Sequence, residues 1–435
     1  MLKALKKAGN QYTVLMKMPA ATSRKDSASF MQRSRTIILV SVILILKSRR
    51  GLKLLPWPIW CVVSMPKISY MVRIKNIVHY LEQIAPLAYQ EGYDNAGLVV
   101  GDSSVLVTGV LICVDITAPV LQEAKEKNCN LIVAHHPIIF KPIYHLTGKD
   151  DVTRCITYAI KQDIAIYTLH TNLDNVAQGV NRQIAKTLGL NQLSILLPRL
   201  DILRHLTTFV PDAFIDAVLN ALHAAGASHV GNGTYCNTVS AGLDALRPTT
   251  TEKSRLGTLH QPSHVEEKRV EVIFPVHLEK SVLRALQAAH PYEKAMYYIH
   301  KIKNTNPSVG AGMVGVLPQT LSSQSFLEYL KAKMHLTCMR HTAPIDRPIE
   351  RVAVCGGSGS FLIQEAIRQQ LDVLVTADVK YHDFFKAEGQ MIIVDIGHYE
   401  SEVGTKALID TLLSEKFANI ALLQCQTVTN PIHYL

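Results

Sequence analysis

Two stretches of this chain repeat one pattern at one spacing. Val110–Asp115 (VLICVD) leads through a helical stretch to Leu131–His136 (LIVAHH), and Val352–Gly357 (VAVCGG) leads through another to Val373–Asp378 (VLVTAD). Cys113 to Ala134 and Cys355 to Thr376 have the same separation. Each half then adds one more apolar run, Ile164–His170 (IAIYTLH) or Ile392–His398 (IIVDIGH), and closes on His-x-x-x-acid: His170 with Asp174, His398 with Glu402. Short apolar runs alternating with helical periodicity define α/β layers. The expected fold is therefore α/β, with two related halves facing each other and donating side chains to one site.

A second duplication lies between the halves. Phe209–Gly226 parallels Ile273–His290: each is a strand, a proline at the helix start and an amphipathic helix. The strand Ala295–Ile302 follows. Two β-α-β units in about 100 residues predict an inserted ferredoxin-like α+β domain. The Gly-, Thr-, Ser- and Pro-rich stretch Asn232–Glu267 reads as its long internal connection. The expected organisation is an N-terminal extension over 1–70, a first α/β half over 71–200, the insert over 201–304 and a second half over 305–435.

The net charge of +10 misleads about partners. Residues 1–70 hold 13 of the 45 Lys/Arg and one of the 35 acids, Asp26, so the body carries 32 basic against 34 acidic side chains. No basic footprint for nucleic acid remains there. Eight scattered cysteines without a C-x-x-C argue against a disulfide framework or thiolate zinc site and fit a reducing cytoplasm. In the extension, Thr36–Leu46 is apolar but shorter than the roughly 20 residues a membrane helix needs. Basic residues precede it as in a signal peptide, yet K-S-R-R follows and no small-x-small cleavage site appears. The extension reads as a segment outside the fold, disordered or not native, with Met71 as the real beginning; anchoring or targeting is the other reading. No membrane is expected for 71–435.

The chemistry gathers at strand ends. Pro137 keeps His136 extended, so the consecutive rings of His135 and His136 diverge and suit two ions better than one. Four-residue spacing puts His398 and Glu402 on one helix face, and His170 with Asp174 repeats the arrangement. Taken singly, each has a structural explanation as a strand cap, a helix-dipole charge or a turn residue. Their joint occurrence in two repeated halves favours a metal site. Three neutral histidines and two carboxylates carry −2 against +4 for two divalent cations. The surplus would hold a hydroxide and attract an anionic substrate, with Asp174 bridging the ions.

The strings YDNAGLVVG, AHHPIIF, HTNLD, TADVKYHD and GHYESE, in this order, resemble the NIF-three-like family, described as GTP cyclohydrolase 1 type 2 or dinuclear metal centre proteins. The resemblance covers Met71 to Leu435. It implies a toroidal homohexamer with metal pairs facing an internal cavity, and the ligands His135, His136, Asp174, His398 and Glu402. HPYEKAMY (His290–Tyr297) is similar to the second half of that family's inserted trimeric signalling and copper-tolerance fold, whereas Cys236–Pro248 departs from its glycine-rich loop.

Other residues are assigned around this centre. His170 is the candidate general acid or base. Asp378, Lys380 and His382 occupy the matching strand end of the second half, where Lys380 would meet a substrate phosphate or remain a solvated charge. Asp94 and Asn95 would orient ligands or form an ordinary turn. Cys355–Ser360 (CGGSGS) is a phosphate-binding loop or, more simply, a tight turn. The expected protein is a cytoplasmic dinuclear hydrolase using zinc, iron or manganese, in which metal-activated hydroxide attacks a nucleotide, GTP by resemblance. The alternatives are a nucleotide phosphoesterase and a non-catalytic metal-binding protein of regulation or assembly.

Overall fold

The computed structural model describes residues 71–230, 233–234, 237–246 and 263–435, together with four strands within 1–70. Those four (Tyr12–Leu15, Leu39–Ser48, Gly51–Leu54 and Ile59–Val62) belong to a unit of their own, in which Leu39–Ser48 pairs antiparallel with the other three. The rest of the extension, and with it the reading of a late start, lies outside the described residues. Among the described residues no helix is long and apolar enough to cross a membrane.

Met71–Leu435 is a mixed α/β unit with two main sheets. In the first, the order is Leu422–Gln424, Val110–Cys113, Leu131–Ala134, Ala165–Thr168 and Gly97–Val100. All neighbours are parallel except the last pair. In the second, the order is Arg340–His341, Ile392–Asp395, Val373–Ala377, Ile349–Ser358, Gly310–Leu321 and Asn191–Pro198, with a parallel centre and antiparallel edges. The three apolar runs of each repeated pattern are thus adjacent strands of one sheet. Most are wholly apolar because both faces of a parallel sheet are covered.

The two-residue period then sorts their side chains. Val110, Ile112, Leu131 and Val133 enter the same apolar cluster as Val352, Val354, Val373, Val375, Ile392 and Val394 of the other sheet. Leu111, Cys113, Ile132 and Ala134 face the outer helices Ala118–Glu126 and Asp151–Lys161, whose Val120, Leu121 and Ile156 they meet. One shared core thereby joins the two sheets. The Asp150 side chain starts the second of those helices by accepting from Thr153 N (2.8 Å). The sheets also trade edges: Asn191–Pro198 completes the second sheet, and Leu422–Gln424 completes the first.

Between Leu203 and Ile302 the chain runs strand, helix, strand, strand, helix, strand, apart from a short hairpin at His229–Val230 and Gly233–Thr234. The antiparallel sheet has the order Asn237–Leu246, Ser263–Pro275, Leu203–Pro211, Tyr297–Ile302. Helices Ile215–Ala224 and Glu279–Ala289 pack on it around Leu206, Val218, Leu222, Phe274, Val282 and Leu286. In the stretch expected to be one long connection, the described residues are strand. Asn237–Leu246 pairs along its whole length with the neighbouring strand, and such main-chain pairing leaves no signature in a small, polar composition. Residues 235–236 and 247–262 lie outside the described residues, and with them both ends of the departing Cys236–Pro248 segment.

Candidate metal centre

The strand ends converge. His135 and His136 extend Leu131–Ala134, held by His135 N to Cys113 O (3.1 Å) and His136 N to Val114 O (2.9 Å). His170 follows Ala165–Thr168 and opens the short helix Thr171–Asp174, which ends on Asp174. His398 opens and Glu402 ends the helix His398–Glu402, after Gly397 turns the chain with φ +90°. His135 Nε2 stands 3.6 Å from Glu402 Oε1 and 3.8 Å from Asp174 Oδ1. Glu402 Oε2 stands 2.8 Å from His136 Nε2 and 3.1 Å from His398 Nε2, and those two nitrogens are 3.3 Å apart. The structure therefore brings together all five residues singled out as ligands. His170 joins them through ring contacts with His135 and His136 at 5.5 and 5.4 Å.

Each ring is locked from behind. His135 donates Nδ1–H to the Leu169 carbonyl (2.8 Å). His136 donates to Asp115 Oδ1, His170 to Asp94 Oδ1 and His398 to Asp378 Oδ2, each at 2.7 Å. A carbonyl or ionised carboxylate can only accept, so each Nδ1 carries a proton and each neutral ring leaves Nε2 as a lone pair. Lone pairs and carboxylate oxygens packed this closely need a cation between them. His135 Nε2 and Asp174 Oδ1 are buried without a hydrogen-bond partner. His135, His136 and Glu402 offer ligand atoms all within 4.8 Å of one another, a group able to hold a metal ion.

Without a metal, protons must serve. Burial opposes charge on His136, but the Asp115 and Glu402 carboxylates outweigh it and hold the ring up at about 10. Glu402 first, then Asp378, raises His398 to about 9 against its burial. His135 is also raised, Glu402 and Asp174 overcoming complete burial. Burial pushes Asp174 up to about 6, with Glu402 adding to it. Burial works the same way on Glu402, but the three imidazoles hold it well below the ordinary carboxylate range.

The remaining assignments divide. Asp94 accepts from His170 and Asp378 from His398, and Asp94 also accepts from the Thr171 amide (3.0 Å) and hydroxyl. Burial disfavours the Asp94 charge, yet His170 and Thr171 bring it down to about 2. Asn95 instead donates Nδ2 to the Ile139 carbonyl (2.9 Å) and serves the turn. Lys380 and His382 are exposed and do not line the cavity at the site. In the CGGSGS segment Cys355–Ser358 complete the strand Ile349–Ser358, and two of its amides are spent inside the protein, Gly356 N on Asn181 Oδ1 and Gly357 N on Ser401 Oγ, both at 2.9 Å.

Asp115 was not singled out, although it ends the VLICVD run. Asp115 and Asp378 use one device: an aspartate ending one parallel strand holds the histidine ending the next. Thr429 donates to the other Asp115 oxygen (2.6 Å), and Asn430 donates to Glu400 (3.0 Å), so the C-terminal tail braces both sides of the cluster. Gly357 is the close approach. A Cβ there would lie 2.5 Å from Glu402 Oε1, on a backbone with φ +62°. Gly357→Ala is expected to displace the carboxylate and lower metal affinity at least about tenfold, the scale for disturbing a ligand's support. Chelator competition measures this, and unchanged affinity refutes it.

Fold and site together define a mixed α/β protein whose two sheets pool histidines and carboxylates in a candidate metal centre. The family model described as Duf34/NIF3 (NGG1p interacting factor 3) matches residues 72–431, and the chain belongs to that family. A Bacillus subtilis (strain 168) relative named GTP cyclohydrolase 1 type 2 homolog is 33% identical over 368 residues, 83% of this chain and 98% of its own. The solved structure of a Bacillus cereus protein related to NIF3 is similar with a TM-score of 0.72 at 31% identity, covering 84% of this chain and 100% of that one. A Staphylococcus aureus structure reaches 0.67 at 30% identity, covering 84% and 99%.

Proposed function

We propose that this protein is a dinuclear metal-dependent hydrolase acting on a nucleotide-type substrate. One observation carries the reading: four imidazoles, each locked through Nδ1, gather around the buried Glu402 carboxylate and the half-buried Asp174. His135, His136, Asp174, His398 and Glu402 would hold two divalent ions, since five such donors crowd a single tetrahedral one. Nitrogen and oxygen donors of this kind suit zinc, iron or manganese. When bound, such ions supply a Lewis acid and an activated water.

The chain's own residues do the rest. His170 donates its Nδ1–H to Asp94 in a hydrogen bond and keeps Nε2 as a lone pair, so it takes a proton there during attack and returns it to the leaving group. Asp94, Asp115 and Asp378 fix the tautomers and ring orientations. A cavity of about 1070 Å³ beside the cluster holds and orients the substrate. In this reading 71–200 and 305–435 are related halves and 201–304 a ferredoxin-like insert, in accord with its element order. Six copies form a cytoplasmic ring with sites facing inward. The name of the Bacillus subtilis relative points to GTP.

Elemental analysis paired with turnover of a nucleotide panel that includes GTP tests the proposal. The expected result is two ions per chain, with hydrolysis lost on chelation and restored on metal return. Fully loaded protein that hydrolyses no member of the panel overturns it.

A further inference from the structure

The cavity beside the cluster is built for something other than a polyphosphate. Its wall carries four acids, Glu91, Asp115, Asp174 and Glu402, and, among the described residues, one lysine or arginine, Arg199. That guanidinium is already engaged. It donates to the Tyr89 and Gln90 carbonyls and sits 3.4 Å from Glu91 Oε1. On the glycine-rich edge the Gly356 and Gly357 amides are not available to an anion, since they are spent on Asn181 and Ser401. Two divalent ions would balance the four carboxylates and leave little surplus. One phosphate group brings about −1.5 to −2, and each further one deepens a charge that nothing on this wall can meet. Triphosphate sites, by contrast, surround the phosphates with free amides and a lysine.

The same wall is rich in uncovered rings. Tyr93, Phe140 and Phe361 line it with side chains 73%, 57% and 63% exposed. Phe140 also stands edge-on to His170, centroids 6.0 Å apart, so a flat molecule against it would reach the proposed proton carrier. Exposed aromatic surface concentrated in one concavity marks a ligand site. Aromatic side chains hold flat π-systems irrespective of charge.

We infer that the substrate is a planar heteroaromatic compound bearing at most one phosphate group, such as a nucleoside or nucleoside monophosphate. This rests on the hydrolase reading, and it replaces the triphosphate that the relative's name suggests with a substrate of lower charge. The test is equilibrium dialysis of the full, metal-loaded chain against adenosine and guanosine and their 5′-mono- and triphosphates, at low and high salt, with metal content measured in every sample. Nucleosides and monophosphates should bind within about tenfold of each other, triphosphates no more tightly, with little effect of salt. Phe140→Ala and Phe361→Ala should each weaken nucleoside binding about tenfold at unchanged metal content. Triphosphates binding more than tenfold tighter in a salt-sensitive way, ring variants that bind as well as the parent, or no binding by any of the six overturn the inference. Protein that holds no metal, or that binds a nucleoside without hydrolysing any of the panel, counts against the hydrolase reading instead.

Discussion

Replacing Glu402 by glutamine is expected to cost the site its metal and leave the fold standing. The carboxylate lies between three imidazoles, Oε1 3.6 Å from His135 Nε2, and Oε2 2.8 Å from His136 Nε2 and 3.1 Å from His398 Nε2. Glutamine keeps the shape but removes the charge, and its NH2 group turns donors toward the nitrogens a cation would use. Changes behind a ligand already cost about 10 to 100-fold in affinity, so losing a charged ligand is expected to exceed that range. Elemental analysis of dialysed protein should find the metal gone, and turnover should vanish with it. Packing is conserved, so the metal-free variant should still unfold cooperatively, but it should melt below the metal-free parent at neutral pH, because the carboxylate that stabilises the charged His136 and His398 rings is gone. In the same protein the His398 titration should fall back from about 9, because Glu402 is the largest cause of its rise. Full metal retention by Glu402→Gln removes this residue from the site.

The parts of this molecule legible in the sequence are those in which side chains carry the signal. Buried parallel strands demand unbroken apolar runs, and a histidine ending such a run has few reasons to be there; hence Leu131–His136 and Ile392–His398 could be read directly. The four-residue step from His398 to Glu402 encodes a helix face. What sequence did not reveal is carried by backbone or by distant partners. The exchange of Asn191–Pro198 and Leu422–Gln424 between sheets is main-chain hydrogen bonding, which almost any residue supports. Asp115 looks like the end of a strand until the next strand is placed beside it, at which point its carboxylate meets His136. Thr429 touches the site only because the tail is pinned on the way: Glu123 accepts from the Gln426 and Thr427 amides (2.8 and 3.0 Å) and the Thr427 hydroxyl (2.6 Å). Lys380 and His382 show the opposite error. They share a motif with Asp378, but the short helix Tyr381–Phe384 starts there and both side chains are exposed and outside the cavity lining.

Metal affinity should climb steeply with pH, because ions and protons compete for the same nitrogens. In the metal-free protein His136 titrates at about 10 and His398 at about 9, so both are protonated at neutral pH. An ion can take each Nε2 only as the proton leaves. Binding at pH 7 should therefore release about two protons, and affinity should rise roughly 100-fold per pH unit. Above pH 9 the slope should fall to about tenfold per unit, and beyond pH 10 it should flatten. His135, also raised, steepens the rise. Stability of the metal-free form should run the other way. Both rings have folded values above the ordinary 6.5 of an unfolded histidine, so their contribution is complete below 6.5 and is lost as pH rises through 9 and then 10. The metal-loaded form has no such loss, since cations replace the protons. Chelator competition at pH 7, 8 and 9, with proton release measured in two buffers and melting curves for both forms, tests each part. A flat affinity from pH 7 to pH 9 would mean that the imidazoles facing Glu402 are not where the metal goes.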